Sequence, residues 1–346
     1  LSGNRVISDM WNGAGPMDHI SWGQETDLII IAPATANVIG KIAAGIGDDF
    51  LTTMVLAAKA DILLCPAMNT RMFQNPAVQE NLLRLKDRGY TVMAPGEGEL
   101  ACGTEGPGRL PDPGDIADLA GMLLREKDLS GMRILITAGP TREPIDPVRF
   151  LSNRSSGKMG YALARAAHRR GSDVILISGP TALKPPPGLS VVSVETAEEM
   201  KTAVFEHCNQ QDVIIKAAAV SDYRPDERSG KKIKKQEGGR HLRLERNPDI
   251  LAELGERRGE TSCILVGFAA ETEDLLENAA EKLRRKNLDM IVANDVSRDD
   301  AGFQVDTNMV RILFRDGHRE ELPLMTKDAL ADHLLDRVKG LWKQRT

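Results

Sequence analysis

The feature that most constrains this chain is the alternation of short, near-continuous apolar runs with amphipathic stretches. "DLIIIAPATANVIGKIAAGIG" (27–47) reads as a buried strand, a Pro-marked turn and a helix. "DILLCPAMN" (61–69) is a second strand entering a loop, and "NPAVQENLLRLKDRG" (75–89) is a helix closed by Gly89. Strands that are apolar throughout are covered on both faces, and helical connections make them parallel. After "YTVMAP" (90–95), residues 96–115 are Gly-rich and read as strandless, and a connection of that length is expected to be a lid. A helix to about Arg125 and the charged linker "EKDLSG" (126–131) end this half.

The rhythm then restarts. "MRILITAGPT" (132–141), a helix from Met159 to Arg170, "DVILISGP" (173–180), "VVSV" (191–194), a helix from Ala197 to Cys208 and "DVIIKAAAV" (212–220) repeat the β-α-β order. Later strands are expected near 263–272, 288–295 and 309–314. The chain therefore reads as α/β, with two doubly wound domains at 1–126 and 127–346. A net charge of −5 argues against a general nucleic-acid or membrane-surface binder, and no apolar run reaches the roughly 18 residues of a membrane span. Cys65, Cys102, Cys208 and Cys263 form no C-x-x-C pair, which suits a reducing cytoplasm. The chain opens on Leu1 with no strand before its first helical stretch, so an N-terminal part of the first domain is expected to be missing.

In doubly wound sheets ligands bind beyond the carboxyl ends of the strands, and "AGPT", "SGP", "AAAVSDYR", "GFAAET" and "ANDVS" each follow directly on a strand. "ITAGPTREPIDPVRFLSNRSSGKMG" (136–160) fails the P-loop pattern: Ser152 stands where a Gly is needed before Gly157 and Lys158, and Met159 follows the Lys. Gly139 still allows close backbone approach, and a helix opening near Lys158 offers unpaired N–H groups to an anion. An ordinary β-α turn has the same pattern. Residues 228–246 carry eight Lys or Arg against two Glu, which suits either a solvated face or an anion site.

Taken together, "ITAGPTREPIDPVRFLSN" with "SSGKMG", "AAAVSDYR", "KKIKKQ", "RNPDIL" and "GFAAET" closely resembles the ligase half of the bacterial bifunctional phosphopantothenoylcysteine decarboxylase/phosphopantothenate–cysteine ligase family, over residues 132 to about 342. "APATANV", "PAMN" and "ACGTEGPGRLPDP" are similar to that family's flavin-dependent decarboxylase domain. The resemblance implies a flavodoxin-like flavoprotein domain followed by a Rossmann-like ligase domain. It also implies 4′-phosphopantothenate, cysteine and CTP as substrates, FMN and Mg²⁺ as cofactors, and a homo-oligomer.

For the ligase, the resemblance implies activation of the 4′-phosphopantothenate carboxylate by CTP to an acyl-cytidylate, then displacement of CMP by the cysteine amine. Lys232, Lys282 and Lys286 match the family's nucleotide-binding lysines, which would give the basic run a purpose. Asp222, Pro248, Asp249, Ile250, Leu251 and Phe268 fall on its other nucleotide-binding positions, with Lys216, Ala217 and Ala218 on the strand-end loop. Asn153 and Arg149 match positions on the substrate side, where an amide can donate to an acyl oxygen and a guanidinium can pair with an anion. Arg246 departs from the family's pattern, where Lys is expected before Asn-Pro-Asp.

Decarboxylation leaves a carbanion that needs an electron sink, which FMN supplies in the resembled family. There the flavin oxidises the cysteinyl thiol to a thioaldehyde, carbon dioxide leaves, and hydride returns to the ene-thiol. His19 matches the family's active-site His and Cys102 its proton donor; Asn69 would hold the substrate carboxylate, and Pro33, Ala34, Thr35, Ala36 and Asn37 would line the flavin. His168, His207, His241, His318 and His333 show no metal-ligand spacing, and the metal's ligands are not assigned. Two other readings stand beside this one. In the first, the chain is a ligase whose flavodoxin-like part is only an oligomerisation platform. In the second it is a nicotinamide-dependent reductase, which lacks a G-x-G-x-x-G after any strand.

Overall fold

The apolar runs of the first half become parallel strands in the computed structural model, which describes residues 3–4, 6–7, 15, 17–99, 105–186, 188–234, 241–260, 263–271, 275–295 and 305–345. The chain divides into two compact units, Leu1–Arg125 and Glu126–Thr346. The first holds α1 (Asp18–Glu25), β1 (Leu28–Ala34), α2 (Ala36–Ala44), α3 (Phe50–Ala57), β2 (Asp61–Pro66), α4 (Thr70–Phe73), α5 (Pro76–Asp87), β3 (Thr91–Val92), β4 (Gly96–Glu99), β5 (Glu105–Arg109) and α6 (Pro113–Leu124). Strands β1, β2 and β3 form a parallel sheet in that order.

Successive side chains of a strand point to opposite faces, so an unbroken apolar run needs cover on both. In β2, Ile62 and Leu64 pack with Ile39, Ile42 and Leu85, whereas Leu63 and Cys65 pack with Ile116 and Ala120 of α6. Side-chain caps start the helices: Thr35 for α2, Asp49 for α3, Asn75 for α5 and Asp112 for α6, the last two followed by Pro at the first turn.

The expectation of a strandless Gly-rich connection is corrected here. Strands β4 and β5 pair antiparallel, Gly96 with Arg109 and Glu99 with Glu105. Glycine has low strand propensity, which hid them. Gly108 needs its residue type: its φ is +142°, and an added Cβ would lie 2.1 Å from the Met68 carbonyl oxygen.

The second unit runs β6 (Arg133–Ala138), β7 (Arg142–Pro144), β8 (Phe150–Ser152), α7 (Lys158–Arg169), β9 (Asp173–Ser178), β10 (Ser190–Ser193), α8 (Ala197–His207), β11 (Val213–Lys216), β12 (Tyr223–Pro225), β13 (Leu244–Arg246), α9 (Ile250–Glu256), β14 (Ile264–Glu271), α10 (Leu275–Arg285), β15 (Met290–Asp295), β16 (Thr307–Phe314), β17 (Arg319–Thr326) and α11 (Lys327–Lys343). Its main sheet has the order β10-β9-β6-β11-β14-β15-β16-β17. The first six of these are parallel and the last two antiparallel. Counted along the chain, the parallel part is 3-2-1-4-5-6, the doubly wound dinucleotide-type order. Ile134 and Ile136 of β6 pack on the face covered by α7 and α11, and Leu135 packs on the opposite face with residues of α8 and α9.

The short pairs β7–β8 and β12–β13 lay outside the sequence reading, and β13 turns the end of the basic stretch into a strand. Glu143 of β7, 2% exposed, accepts from the Ala197 amide at 3.0 Å, which docks that hairpin on the opening of α8. Among the described residues no helix is long and apolar enough to cross a membrane.

A buried ionic knot closes this unit. The Arg170 side chain, 5% exposed, forks onto Asp128 at 2.8 and 2.7 Å, and Lys339 of α11 reaches the same carboxylate at 2.6 Å. Arg170, and then Lys339, hold the Asp128 carboxyl well below the usual carboxylate range. A depressed carboxyl pKa stabilises the fold above the unfolded value, and that contribution fades as pH falls. Asp128→Ala leaves the guanidinium buried without its main partner and is expected to lower the stability of this unit by about 3 kcal/mol. The urea midpoint should drop with an unchanged m-value, by less near pH 3 than at pH 7.

Candidate active site

Strand order reverses between β6 and β11, and at such a reversal neighbouring loops part on opposite sides of the sheet and leave a crevice. Here the crevice is a cavity of about 730 Å³. Its walls come from the carboxyl ends of the strands: the segment after β8 into α7, the loop after β11, the β13–α9 turn, and the ends of β14 and β15.

The two loops at the reversal are laced together by main chain and buried threonines. Ala219 N donates to Gly139 O at 2.9 Å, Ala218 N to the Thr137 hydroxyl at 3.2 Å and Ser221 N to the Thr141 hydroxyl at 3.0 Å. Gly157, with φ +77°, opens α7; an added Cβ would lie 2.7 Å from Thr181 and 3.3 Å from Gly139. Only glycine admits that approach, and it leaves the first turn of α7 without a side-chain cap. The segment that fails the P-loop pattern thus still aims a helix N-terminus into the cavity.

Of the residues expected at the nucleotide and substrate sites, Asn153, Lys216, Ala217, Ala218, Asp222, Pro248, Asp249, Ile250, Phe268, Lys282 and Lys286 all line this cavity. Lys286 pairs with Asp249 at 2.8 Å. Burial alone would raise the Asp249 carboxyl, but the bond to Lys286 and its charge bring it below its ordinary value. Lys216 is pulled down to about 8 by desolvation and then by the nearby Lys286, against the pull of Asp249 and Asp222. The Asn153 amide N–H groups reach Val220 O at 3.0 Å and Ala219 O at 3.4 Å, tying the α7 segment to the loop after β11.

Three expected residues stand outside the cavity lining. Leu251 is buried in the core. The Arg149 guanidinium is spent on Asp146, at 3.0 and 2.6 Å, and on Ile233 O at 2.8 Å. Asp146 also accepts from the Ile233 amide at 3.1 Å, so this pair docks the segment that carries the exposed Lys232.

In the first unit, Pro33 to Asn37 occupy the carboxyl end of β1 and the start of α2. Pro33, Thr35 and Asn37 are exposed, and the Thr35 hydroxyl caps the Val38 amide, so Ala36 and Asn37 open the helix on the solvent side. Small side chains at a strand end beside a helix N-terminus fit a phosphorylated planar cofactor such as FMN. Asn69 caps α4, accepting from Arg71 N at 2.9 Å, beside the β4–β5 hairpin, whose Gly108 O accepts from Met68 N. His19 lies on α1, a helix that packs on α3 through Trp22 and Phe50. Cys102 lies outside the described residues.

The sequence reading missed Asn308 and Lys327, which also line the cavity; they come from the antiparallel end of the sheet, whose register no motif announces. Asn294 was legible only as part of "ANDVS". Among the described residues no three His, Cys, Asp or Glu gather as metal ligands. A polyanion entering this cavity favours the charged form of Lys216, whose lowered pKa leaves it partly neutral above about pH 8. Binding of inorganic tripolyphosphate at about pH 8.5 should therefore take up a fraction of a proton, read as a buffer-dependent calorimetric enthalpy that shrinks in Lys216→Arg.

Comparison with known proteins identifies the family of both domains. The DNA/pantothenate metabolism flavoprotein C-terminal domain model matches residues 129–341 and the Flavoprotein model residues 1–125. The chain is 50% identical to the coenzyme A biosynthesis bifunctional protein CoaBC of Bacillus subtilis, over 99% of this chain and 86% of that protein. It is 46% identical to the Escherichia coli protein of the same name, over 93% of this chain and 80% of that one. A crystal structure of the C-terminal domain of a CoaBC protein superposes with a TM-score of 0.54 at 47% identity, covering 63% of this chain and all of that one. These matches give no support to the expected loss of part of the first domain. The chain belongs to the family of coenzyme A biosynthesis bifunctional proteins, a flavoprotein domain joined to a DNA/pantothenate metabolism flavoprotein C-terminal domain.

Proposed function

We propose that the chain catalyses two consecutive steps of coenzyme A biosynthesis: CTP-dependent ligation of 4′-phosphopantothenate with cysteine in the second domain, then decarboxylation of the product in the first. The observation that carries the ligase reading is the lysine-lined cavity at the strand-order reversal, into which α7 aims its N-terminus. The alternative, a ligase on an inert platform, has less support, because the likeness to the Bacillus protein extends over 99% of this chain.

In the ligase step the pantothenate carboxylate attacks the α-phosphorus of CTP, an acyl–phosphate bond forms, and pyrophosphate leaves with the electron pair of the broken bond. The cysteine amine then attacks the acyl carbon and CMP departs. Both transfers build negative charge on oxygen, which Lys216, Lys282 and Lys286 offset inside a partly enclosed cavity. Mg²⁺ would enter with the triphosphate, whose oxygens are its usual ligands alongside water and one or two carboxylates. Phe268, Pro248 and Ile250 are the apolar side chains of this part of the lining and suit the base. Asn153 ties together the two loops that would frame the acyl group, and Asp146 with Arg149 fixes the backbone beside Lys232.

In the first domain FMN, when bound, supplies the electron sink for decarboxylation. Pro33 to Asn37 would hold it, Asn69 would bind the substrate carboxylate, His19 would take a proton from the substrate, and Cys102 would return one. We place the enzyme in the cytoplasm as a homo-oligomer.

Ligation should run strongly faster with CTP than with ATP at matched concentrations; equal turnover would remove the nucleotide assignment. Asn153→Asp replaces a donor by an acceptor facing two carbonyl oxygens, so coupling should slow by about tenfold or more with melting nearly unchanged. Lys232→Gln should weaken ligation as well, and wild-type rates in either variant would show the assigned role to be wrong. His19→Asn should leave phosphopantothenoylcysteine formation intact and cut its decarboxylation by about a hundredfold, the lower range for loss of a general base. Separate quantification of the two products reads this directly, and unchanged release of 4′-phosphopantetheine would exclude His19.

A further inference from the structure

One wall of the ligase cavity is built by the antiparallel end of the sheet. Strand β16 runs back along β15, pairing Asn294 with Val310, and β17 runs forward again, pairing Thr307 with Thr326. This register brings Asn294, Asn308 and Lys327 to the same edge as the carboxyl ends of the parallel strands, opposite the start of α7.

Lys327 is 6% exposed, although it is one of the residues lining the cavity. Its ammonium donates to Val305 O, and its amide donates to Asp306 O at 2.9 Å. The neighbouring Asp306 carboxylate is engaged by Lys158 at 2.6 Å. Two ammonium groups therefore crowd one carboxylate, and desolvation together with Lys158 brings Lys327 down to about 8. Burying an ammonium this way is unfavourable unless an anion arrives. Beside it, the Asn294 side chain is 8% exposed, and its amide oxygen has no hydrogen-bond partner among the described residues. Two lysines and the uncapped start of a twelve-residue helix together call for a ligand with several negative charges, and the open Asn294 oxygen, an acceptor, suits a donor such as a water or a ligand hydroxyl.

We propose that Lys327 grips the polyphosphate tail of the nucleotide, the part that departs as pyrophosphate. The inference rests on the nucleotide reading of the cavity and extends it to a residue that no motif singled out. As the carboxylate–phosphorus bond forms and the bond from the α-phosphorus to its bridging oxygen breaks, charge accumulates on the leaving pyrophosphate. Lys327 stays an ammonium throughout and transfers no proton. Its contact is stronger in the transition state than with the intact triphosphate.

The test is calorimetric binding by the full chain, wild type and variants, to CTP, CMP and inorganic tripolyphosphate at pH 7, with the KM for 4′-phosphopantothenate measured alongside. Lys327→Met, close in length and apolar, should weaken CTP and tripolyphosphate by about 10- to 100-fold and leave CMP within about twofold. Lys327→Arg should retain CTP binding within about fivefold. A structural role would lower CMP and CTP affinity together. That outcome, unchanged CTP binding in Lys327→Met, or a rise confined to the phosphopantothenate KM, would each overturn the assignment. Should Lys327→Met melt early, Lys327→Gln in the same assay carries the decision. A wild-type protein that binds neither CTP nor tripolyphosphate removes the nucleotide reading itself, and the inference with it.

Discussion

The second unit depends on one topological constraint, the reversal of strand order between β6 and β11. Right-handed crossovers place the helices after β6 and β11 on opposite faces of the sheet. Their loops must diverge, and the space between them cannot be filled by either helix. Every other feature of the cavity follows from keeping that space open while the flanking backbones stay close. Thr137 and Thr141, both fully buried, do this by offering hydroxyl acceptors to the amides of the opposite loop. The glycines do it by absence of side chain: an added Cβ on Gly179 would fall 1.8 Å from Pro140 O, and one on Gly160 would fall 2.5 Å from the Ala138 Cβ.

Charge is arranged on the same frame. The chain has a net charge of −5, yet the cavity gathers Lys158, Lys216, Lys282, Lys286 and Lys327. Pairing of Lys286 with Asp249 and of Lys158 with Asp306 offsets part of the repulsion among these ammonium groups. A polyanion then meets partly desolvated cations on walls that are already in place, where attraction is stronger than in bulk water. The acidic surplus lies elsewhere, and part of it serves folding, as in the knot of Asp128 with Arg170 and Lys339.

What was legible in the sequence was whatever rests on local pattern. The apolar runs of β1, β2, β6, β9 and β11 announce themselves, because strands covered on both faces admit few polar residues. Residues at the end of such a strand or in the loop that follows, among them Lys216 and Asp222, could be placed at a sheet edge by position alone. The β4–β5 hairpin could not, because glycine at Gly106 and Gly108 lowers strand propensity while permitting the positive φ that the pairing uses. Asn308 and Lys327 were hidden for another reason: which end of an antiparallel strand meets the cavity is decided by register, a property of two segments together.

Arg149 shows how a loop guanidinium can be engaged within the protein itself. A guanidinium in a loop beside an anion site suggests direct pairing with substrate. In this fold Asp146, two residues earlier than Val148, takes that guanidinium and the Val148, Arg149 and Ile233 amides as well. One carboxylate with four such donors is held far below its ordinary pKa, by Arg149 foremost, and so remains a fixed anion. The consequence is mechanical. The turn at 145–149 and the start of the basic stretch at 229–233 are bonded to each other, and the backbone beside Lys232 is fixed by a pair that does not itself line the cavity.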